Sequence, residues 1–293
     1  MLNELSLLTR LLPTLPSGAG VVVGPGDDCA VLEIPGSAVE MLAATDQLIE
    51  NIHFTADTDA AAAGAKLMNR NLSDIAAMGG RPRWALLTLA AGEASRRHDE
   101  WLLAFCRGAA TAGALHGVPV IGGDLARQPE SGFTATLTIL GEIPRGQAVL
   151  RSGAKPGDRL YVTGRIGNSF GSGHHLVFSP RLAEGEFLRD HASAMLDISD
   201  GLLLDAGRLA AASGVDLLLD PAAVPLRAGA VLPDALGDGE DYELFFTAGA
   251  ELPEIWPNHL AALTPIGVVV EGKGAVRDIS SRKIIAERPG YEH

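Results

Sequence analysis

The chain has 293 residues, of which 47% are hydrophobic, and at roughly 150 residues per domain this length predicts two globular domains. Its 23 Lys and Arg against 36 Asp and Glu give a formal net charge of −13. That balance excludes a nucleic-acid or anionic-membrane partner, because both need a positive protein surface.

Strand and helix patterns alternate along the first half, which indicates a mixed α/β domain. Helices are predicted at 5–12, 59–78 and 99–116, and strands at 39–44, 84–90, 118–121 and 133–139. The first of these strands ends at Thr45-Asp46, and the strand at 118–121 leads into Gly122-Gly123-Asp124. The helix at 59–78 is followed by Gly79, whose conformational freedom favours a helix end there.

A polar stretch with Gly and Pro at 144–156 predicts a boundary, which divides the chain into a domain at 1–145 and a domain at 146–293. Beyond it, strands are predicted at 159–163, 215–219, 242–247 and 266–270, and a helix at 200–212. The second domain is therefore also predicted to be α/β (α+β).

The cysteine content and the N-terminus bear on location. Two cysteines, Cys29 and Cys106, cannot form a disulfide framework or a cysteine zinc site, and a reducing compartment suits them. The N-terminus lacks a basic signal-peptide region, and no apolar run approaches the ~18 residues of a membrane span. We therefore expect a cytoplasmic protein.

Short carboxylate motifs beside predicted strands and helices are the main functional signal. They are Gly26-Asp27-Asp28, Thr45-Asp46, Asn71-Leu72-Ser73-Asp74, Gly123-Asp124, Asp197-Ile198-Ser199-Asp200-Gly201 and Gly239-Glu240-Asp241-Tyr242. Carboxylate and hydroxyl oxygens are hard ligands that suit Mg²⁺. Asp74 stands near the end of an otherwise apolar helix, where a buried carboxylate is costly unless it is paired or bound to metal.

Each motif alone has an ordinary structural explanation. Asp and Gly favour surface turns for local reasons, and Asp200 could cap the following helix. Six carboxylate motifs that converged would repel one another without cations, so convergence would require several divalent ions. The alternative is that the motifs are scattered. A Walker loop, a kinase-type Gly-rich loop and a dinucleotide Gly-x-Gly-x-x-Gly turn are all missing from the sequence.

Taken together and in order, these motifs resemble the thiamine-monophosphate kinase family. That family is part of a superfamily with aminoimidazole ribonucleotide synthetase and selenophosphate synthetase. The likeness covers nearly the whole chain, and it is carried by the segments at 26–30, 45–54, 66–79, 122–124, 151–158, 195–202, 239–244 and 290–293.

The resemblance implies an activity and a set of site residues. The activity is ATP-dependent conversion of thiamine monophosphate to thiamine diphosphate, with several Mg²⁺ ions between protein and phosphates. The implied metal ligands are Asp28, Thr45, Asp46, Asp74, Asp124, Asp197 and Asp200. The implied ATP contacts are Gly123, Asp124, Arg151 and Ser199, and the implied thiamine-phosphate contacts are His53, Glu240 and Tyr291. The implied fold is the two-domain aminoimidazole ribonucleotide synthetase-like fold, whose first domain forms a barrel-like core across a homodimer.

Two departures from the family pattern affect these expectations. Ala44 stands where relatives often carry Ser or Thr, so only a backbone carbonyl could bind metal there. The segment 167–180 is shorter than usual and has Asn168 in its turn, which disfavours the usual helix after it.

The acceptor phosphate of such a reaction needs no general base, because a phosphate monoester has a second pKa of about 6 and is largely dianionic at neutral pH. We therefore expect direct in-line phosphoryl transfer assisted by metal, with no catalytic side chain as base. Two alternatives stay open, a ring-closing ribonucleotide synthetase of the same superfamily and a non-catalytic thiamine-phosphate-binding module. Selenophosphate synthesis is disfavoured because no reactive Cys stands in an N-terminal Gly-rich loop.

Overall fold

The structure is a computed structural model, and it describes residues 4–15, 17–92, 99–128 and 132–285. Its first half contains α1 (Glu4–Leu11), β1 (Val21–Val23), β2 (Ala30–Glu33), β3 (Val39–Ile49), α2 (Ala60–Ala77), β4 (Arg81–Gly92), α3 (Asp99–Leu115), β5 (Val120–Gln128) and β6 (Phe133–Pro144). The strands form a six-stranded sheet in the order β1-β2-β3-β6-β4-β5, which is antiparallel except for the parallel pair β4 and β5.

The second half forms another six-stranded sheet, in the order β12-β9-β11-β7-β10-β8. Its elements are β7 (Arg159–Thr163), α4 (His174–Val177), α5 (Leu182–Leu188), β8 (Ala192–Asp197), α6 (Leu202–Ser213), β9 (Val215–Leu219), α7 (Leu232–Gly237), β10 (Leu244–Ala248), α8 (Leu252–Ile255), β11 (Leu263–Glu271) and β12 (Val276–Asp278). The parallel pair in this sheet is β9 with β12. The two mixed sheets confirm the predicted α/β class.

Helix α2 packs against both halves of the molecule. Its N-terminus is capped by Asp59, whose carboxylate accepts a hydrogen bond from the Ala62 N–H at 2.9 Å. One side packs on α3, β3 and β6, and the other side contacts α4, α5 and β8. Because it lies between the two sheets, polar residues on α2 can meet residues from both.

Glycines permit main-chain contacts on two sides of α2. A Cβ on Gly64 would lie 2.0 Å from the Phe105 carbonyl oxygen of α3, so that crossing needs a residue without a side chain. On the other side, a Cβ on Gly185 of α5 would lie 2.1 Å from the Ala76 carbonyl oxygen. The spacing between α2 and its neighbours is thus set by backbone atoms.

The structure differs from the predicted elements where functional motifs begin. Strands β3 and β5 continue through Thr45-Asp46 and Gly122-Gly123-Asp124, so these motifs lie within strands and not on turns. The predicted strand at 242–247 begins two residues later, at Leu244, because Tyr242 has φ 52° and cannot continue a strand. After the 167–173 turn only the one-turn helix α4 forms. Within the described ranges no helix is long and apolar enough to cross a membrane.

Candidate active site

Three carboxylates from separate elements converge between the two sheets. Asp28 lies on the turn before β2, Asp74 on α2, and Asp197 at the end of β8. One oxygen from each lies within 4.8 Å of the others. The group therefore combines side chains from both halves of the chain.

The electrostatics of this carboxylate cluster are unfavourable without a counter-charge. Burial, and then the charges of Asp46 and Asp197, raise the pKa of Asp74 well above its usual value. Burial and the charge of Asp28 likewise raise the pKa of Asp197, although the Ser73 hydroxyl donates a 2.5 Å hydrogen bond to it. Clustered carboxylates oppose each other's ionisation, and a divalent cation would relieve that repulsion. Their oxygens are the donor atoms that Mg²⁺ prefers.

The cluster opens into a cavity of about 510 Å³. Its walls contain most of the acidic residues predicted as metal ligands, together with several arginines. The lining residues are Leu8, Leu12, Gly26, Asp27, Asp28, Thr45, Asp46, Arg70, Asp74, Arg151, Asp197, Ser199, Asp200, Arg208 and Tyr242. The structure thus brings together Asp28, Thr45, Asp46, Asp74, Asp197 and Asp200 with Arg151 and Ser199.

Arg151 is held beside the cluster by the Gly-Asp-Asp turn. Its guanidinium Nη2 lies 2.6 Å from an Asp28 oxygen, and its backbone N–H donates to the Asp27 carboxylate at 3.1 Å. Burial, and then the neighbouring Asp28 charge, raise the pKa of Asp27 to about 6. A fixed cation is therefore available at the cavity wall to contact an anionic ligand.

Asp205 organises the turn that carries Ser199 and Asp200. Its carboxylate accepts the backbone N–H groups of Ser199 at 3.1 Å and of Asp200 at 3.0 Å. Arg208 lies 2.6 Å from Asp200 and 2.7 Å from Asp205. Burial, and then the charge of Asp200, raise the pKa of Asp205 to about 7. Asp205 carries no local sequence signal of this role, because it stands inside a helix, six residues after the serine that it orients.

A second polar group adjoins the cavity around Glu240. The Lys66 ammonium forms a buried ion pair with the Glu240 carboxylate and donates to the His53 carbonyl oxygen at 2.6 Å. His53 Nδ1 accepts from the Ile49 N–H at 2.9 Å. Burial lowers the pKa of Lys66 to about 8, against the opposing effect of Glu240. Two of the predicted substrate residues, His53 and Glu240, are thus joined through Lys66.

The loop that carries Glu240 has a strained backbone. Glu240 has φ 54° and Tyr242 has φ 52°, a left-handed conformation that costs energy for residues other than glycine. The Tyr242 ring stacks on Phe178 with centroids 4.1 Å apart. Such strain is typical of functional loops.

Gly123 and Asp124 lie elsewhere within one copy of the chain. Gly123 on β5 lies in register with Asp46 on β3, with β6 and β4 between them. Three strand spacings therefore separate the two residues, a distance of about 14 Å. Both residues line a second, largely apolar cavity of about 490 Å³ with Leu87, Cys106 and Leu125. Their predicted contacts with ATP and metal stay predictions. Tyr291 lies outside the described residues.

Comparisons with known proteins give consistent results. A family model for the N-terminal domain of AIR synthase related proteins matches residues 26–143. The thiamine-monophosphate kinase of Salmonella typhimurium is 36% identical, and the match covers 99% of this chain and 98% of that protein. The enzyme of the same name from Bacillus subtilis is 31% identical, over 100% and 99%.

Solved structures show the same likeness. One described as AaThiL complexed with AMPPCP and TMP is 30% identical, with TM-score 0.86 and coverage of 99% of this chain and 96% of that one. Thiamine monophosphate kinase from Aquifex aeolicus is 28% identical, with TM-score 0.81 over 97% and 99%. The HypE-HypF complex, at 16% identity and TM-score 0.74 over 97% and 100%, shares the fold alone.

Proposed function

The chain belongs to the thiamine-monophosphate kinase family, and we propose that it transfers the γ-phosphoryl group of ATP to thiamine monophosphate, giving thiamine diphosphate. The observation that carries this proposal is the cavity between the two sheets, where a carboxylate cluster from both halves meets fixed arginines. A structure of the same fold is described with an ATP analogue and TMP bound.

We propose that the carboxylate cluster holds Mg²⁺. Asp28, Asp74 and Asp197 fit the ion, since three carboxylate oxygens lie within 4.8 Å of one another and their charges repel. Asp46, Asp200 and Thr45 line the same cavity and are proposed as further ligands. When bound, Mg²⁺ would neutralise the phosphate charges and orient the reacting groups.

The side chains of this chain would position two polyanions for direct in-line transfer. Arg151 and Ser199, at the cavity wall, would bind the phosphates of ATP. His53 and Glu240, linked by Lys66, would bind the organic part of the acceptor, together with Tyr291. The acceptor oxygen is already ionised at neutral pH, so the site needs geometry and charge neutralisation and no general base.

The enzyme assay combines the protein with ATP, Mg²⁺ and thiamine monophosphate, and follows thiamine diphosphate by chromatography. We expect product with thiamine monophosphate, none with thiamine as acceptor, and loss of product after chelation that added Mg²⁺ restores. Binding of both ligands without product would instead support the non-catalytic binding module. Transfer through a phosphorylated protein intermediate, detected as protein-bound phosphate, would contradict direct transfer.

We also propose a homodimer, formed through β5. This edge strand is exposed along most of its length and carries the apolar side chains Ile121 and Leu125, next to exposed Trp84 and Leu86 on β4. Uncovered apolar sheet edges favour association. Because Asp124 is remote from Asp46 within one copy, its proposed metal contact would be made across this dimer.

Replacing Leu125 by Glu tests the dimer. Leu125→Glu should shift the sedimentation coefficient from dimer to monomer and lower activity. Leu115→Glu is the matched control, since Leu115 is also an exposed leucine, at 80% against 66% for Leu125, but lies at the end of α3. A wild-type protein that sediments as a monomer would refute the homodimer.

The two-domain division and the location complete the proposal. We propose domains at 1–145 and 146–293, supported by two sheets whose strands come from 21–144 and from 159–278.

A cytoplasmic location is proposed from the sequence, and it is consistent with the free thiols of Cys29 and Cys106.

A further inference from the structure

Three buried polar atoms close to one another make no hydrogen bond. They are Arg70 Nε, Glu240 Oε1 and the Tyr242 hydroxyl, and they are three of only five such side-chain atoms in the part of the chain that the structure describes. Arg70 and Tyr242 line the 510 Å³ cavity, and Arg70 Nη1 lies 4.0 Å from Glu240 Oε1. Buried polar atoms are usually satisfied, so these three point to a ligand.

Arg70 is fixed at this position by its neighbours. It is 5% exposed, and Nη1 donates to the Gln47 carbonyl oxygen at 3.0 Å. Its Nε lies 3.4 Å from an Asp46 oxygen without forming a hydrogen bond. The guanidinium is therefore held in the cavity wall by Gln47 and Asp46, and its Nε–H still makes no hydrogen bond.

The spacing of polar residues along α2 indicates which part of a substrate lies beside Arg70. Lys66, Arg70 and Asp74 follow one another at intervals of four residues, so they share one helix face and rise by about 6 Å per interval. Lys66 is at the Glu240 and His53 end, and Asp74 is in the carboxylate cluster. Arg70 lies between the proposed site of the acceptor's organic part and the proposed metal site. A phosphate that joins the organic part of the acceptor to the metal site would therefore lie beside Arg70.

The chemistry of the unsatisfied atoms fits this division. An arginine fork and a phenol hydroxyl both donate, and a phosphate monoester offers several acceptor oxygens. The carboxylate oxygen of Glu240 can only accept, so it suits a donor or a cation on the organic part of the substrate.

We propose that Arg70, with the Tyr242 hydroxyl, holds the phosphate of the acceptor and so selects a phosphorylated acceptor over its unphosphorylated form. This inference rests on the proposed kinase activity. A different role for Arg70, as a structural partner of Asp46 alone, would leave the preference for the phosphorylated acceptor unchanged.

The test measures dissociation constants for thiamine monophosphate and for thiamine by calorimetry, in the presence of Mg²⁺ and AMPPCP. For Arg70→Gln, we expect the preference for the monophosphate to fall at least about tenfold, the usual size of one lost charged hydrogen bond. Thiamine affinity should stay within about twofold, since the lost contact is to phosphate. Tyr242→Phe should lower the preference by a smaller factor.

Kinetics should show the same selectivity. The KM for thiamine monophosphate should rise in Arg70→Gln, while the KM for ATP stays near that of the wild type. Arg70→Lys keeps the charge without the fork and should restore part of the preference.

Arg189→Gln is the matched control. Arg189 also has a buried Nε without a hydrogen bond, but it contacts Gly79 and Glu186, outside the cavity. This variant should retain the full preference for the monophosphate. Circular dichroism verifies the folding of each variant. If Arg70→Gln does not fold, the binding preferences of Tyr242→Phe and Arg70→Lys test the proposal instead.

Equal loss of affinity for both ligands, or an unchanged preference in folded variants, would overturn the phosphate-holding role. Wild-type turnover is measured separately. If the wild type makes thiamine diphosphate and the preference does not change, the role of Arg70 alone is wrong. If the wild type makes no product, the proposed function fails, and the binding ratio still decides the role of Arg70.

Discussion

Replacing Asp74 by Asn should inactivate the enzyme and at the same time stabilise its metal-free form. The substitution removes one charge from three carboxylates whose oxygens lie within 4.8 Å. At an effective dielectric constant of about 20, each like-charged pair at that distance costs about 3 kcal/mol. Partial protonation limits this cost, so we expect a gain of about 1–3 kcal/mol in the free energy of unfolding.

The pH dependence gives a second expectation for the same variant. The pKa of Asp74 is raised in the folded state, so above its ordinary value of 3.8 the folded protein retains a proton that the unfolded chain has lost. Wild-type stability without metal should therefore fall as the pH rises through that window. Asp74→Asn removes one titrating group, and its stability should depend less steeply on pH.

Urea unfolding in chelator, repeated at several pH values and then with Mg²⁺ and AMPPCP, measures these effects. The ligands should stabilise the wild type more than the variant, and turnover of the variant should fall roughly 100-fold or more, as expected for loss of a charged metal contact. Asp190→Asn makes the same chemical change at an exposed position. A variant less stable than the wild type in chelator would refute the repulsion argument, and wild-type turnover would remove Asp74 from the metal site.

Three further substitutions test the packing and ion pairs around the site. Lys66→Met should cost about 3 kcal/mol in urea unfolding, because it removes the close ion-pair partner of buried Glu240 and leaves only Arg70, 4.0 Å away. The double change with Glu240→Gln should recover part of the loss, and no recovery would contradict the ion pair. Gly64→Ala should lower the melting temperature, because its Cβ would lie 2.0 Å from the Phe105 carbonyl oxygen, and it should cost about 2 kcal/mol or more in stability. An unchanged melting temperature would argue against the close packing of α2 on α3. Burial alone would raise the pKa of Asp216, but Arg277 and two backbone N–H groups hold it at about 2. Asp216→Asn should therefore lower the free energy of unfolding by about 1 kcal/mol at pH 7, after allowance for solvent screening. The difference in stability between wild type and variant should vanish as the pH falls from 3.8 through about 2. A difference that persists at low pH would exclude the charge of Asp216 as its cause.

Local sequence patterns were sufficient for the longer helices and for the acidic motifs, whereas the short helices α4, α5, α7 and α8 were not predicted. The helix predicted at 59–78 matches α2, because small and apolar residues at helical spacing lead to a glycine end. An isolated carboxylate on that helix was enough to single out Asp74. Asp28 and Asp197 were found because Asp and Gly cluster beside regular elements.

Other features depend on contacts that no local pattern carries. The continuation of β3 through Asp46 and of β5 through Asp124 follows from pairing with distant strands. Arg70 was missed because an arginine on a helix is usually solvent-exposed, and only the packing of α2 between two sheets buries it. The four-residue spacing of Lys66, Arg70 and Asp74 is visible in the sequence, but it indicates a binding site only when Glu240 is known to lie close to Arg70. The left-handed backbone at Glu240 and Tyr242 is a tertiary constraint too.

The backbone contact between Gly185 and Ala76 has a consequence for how the site meets its ligands. Asp74 lies two residues before Ala76 on α2, and α5 leads directly into β8, which ends at Asp197. The close approach of α5 to α2 therefore limits how far the segments that carry these two carboxylates can shift, since main-chain atoms in contact cannot yield as a flexible side chain would. The repulsion between them is incurred when the chain folds, so a cation arriving later needs little reorganisation of the protein. This preorganisation depends in part on a glycine that does not line the cavity.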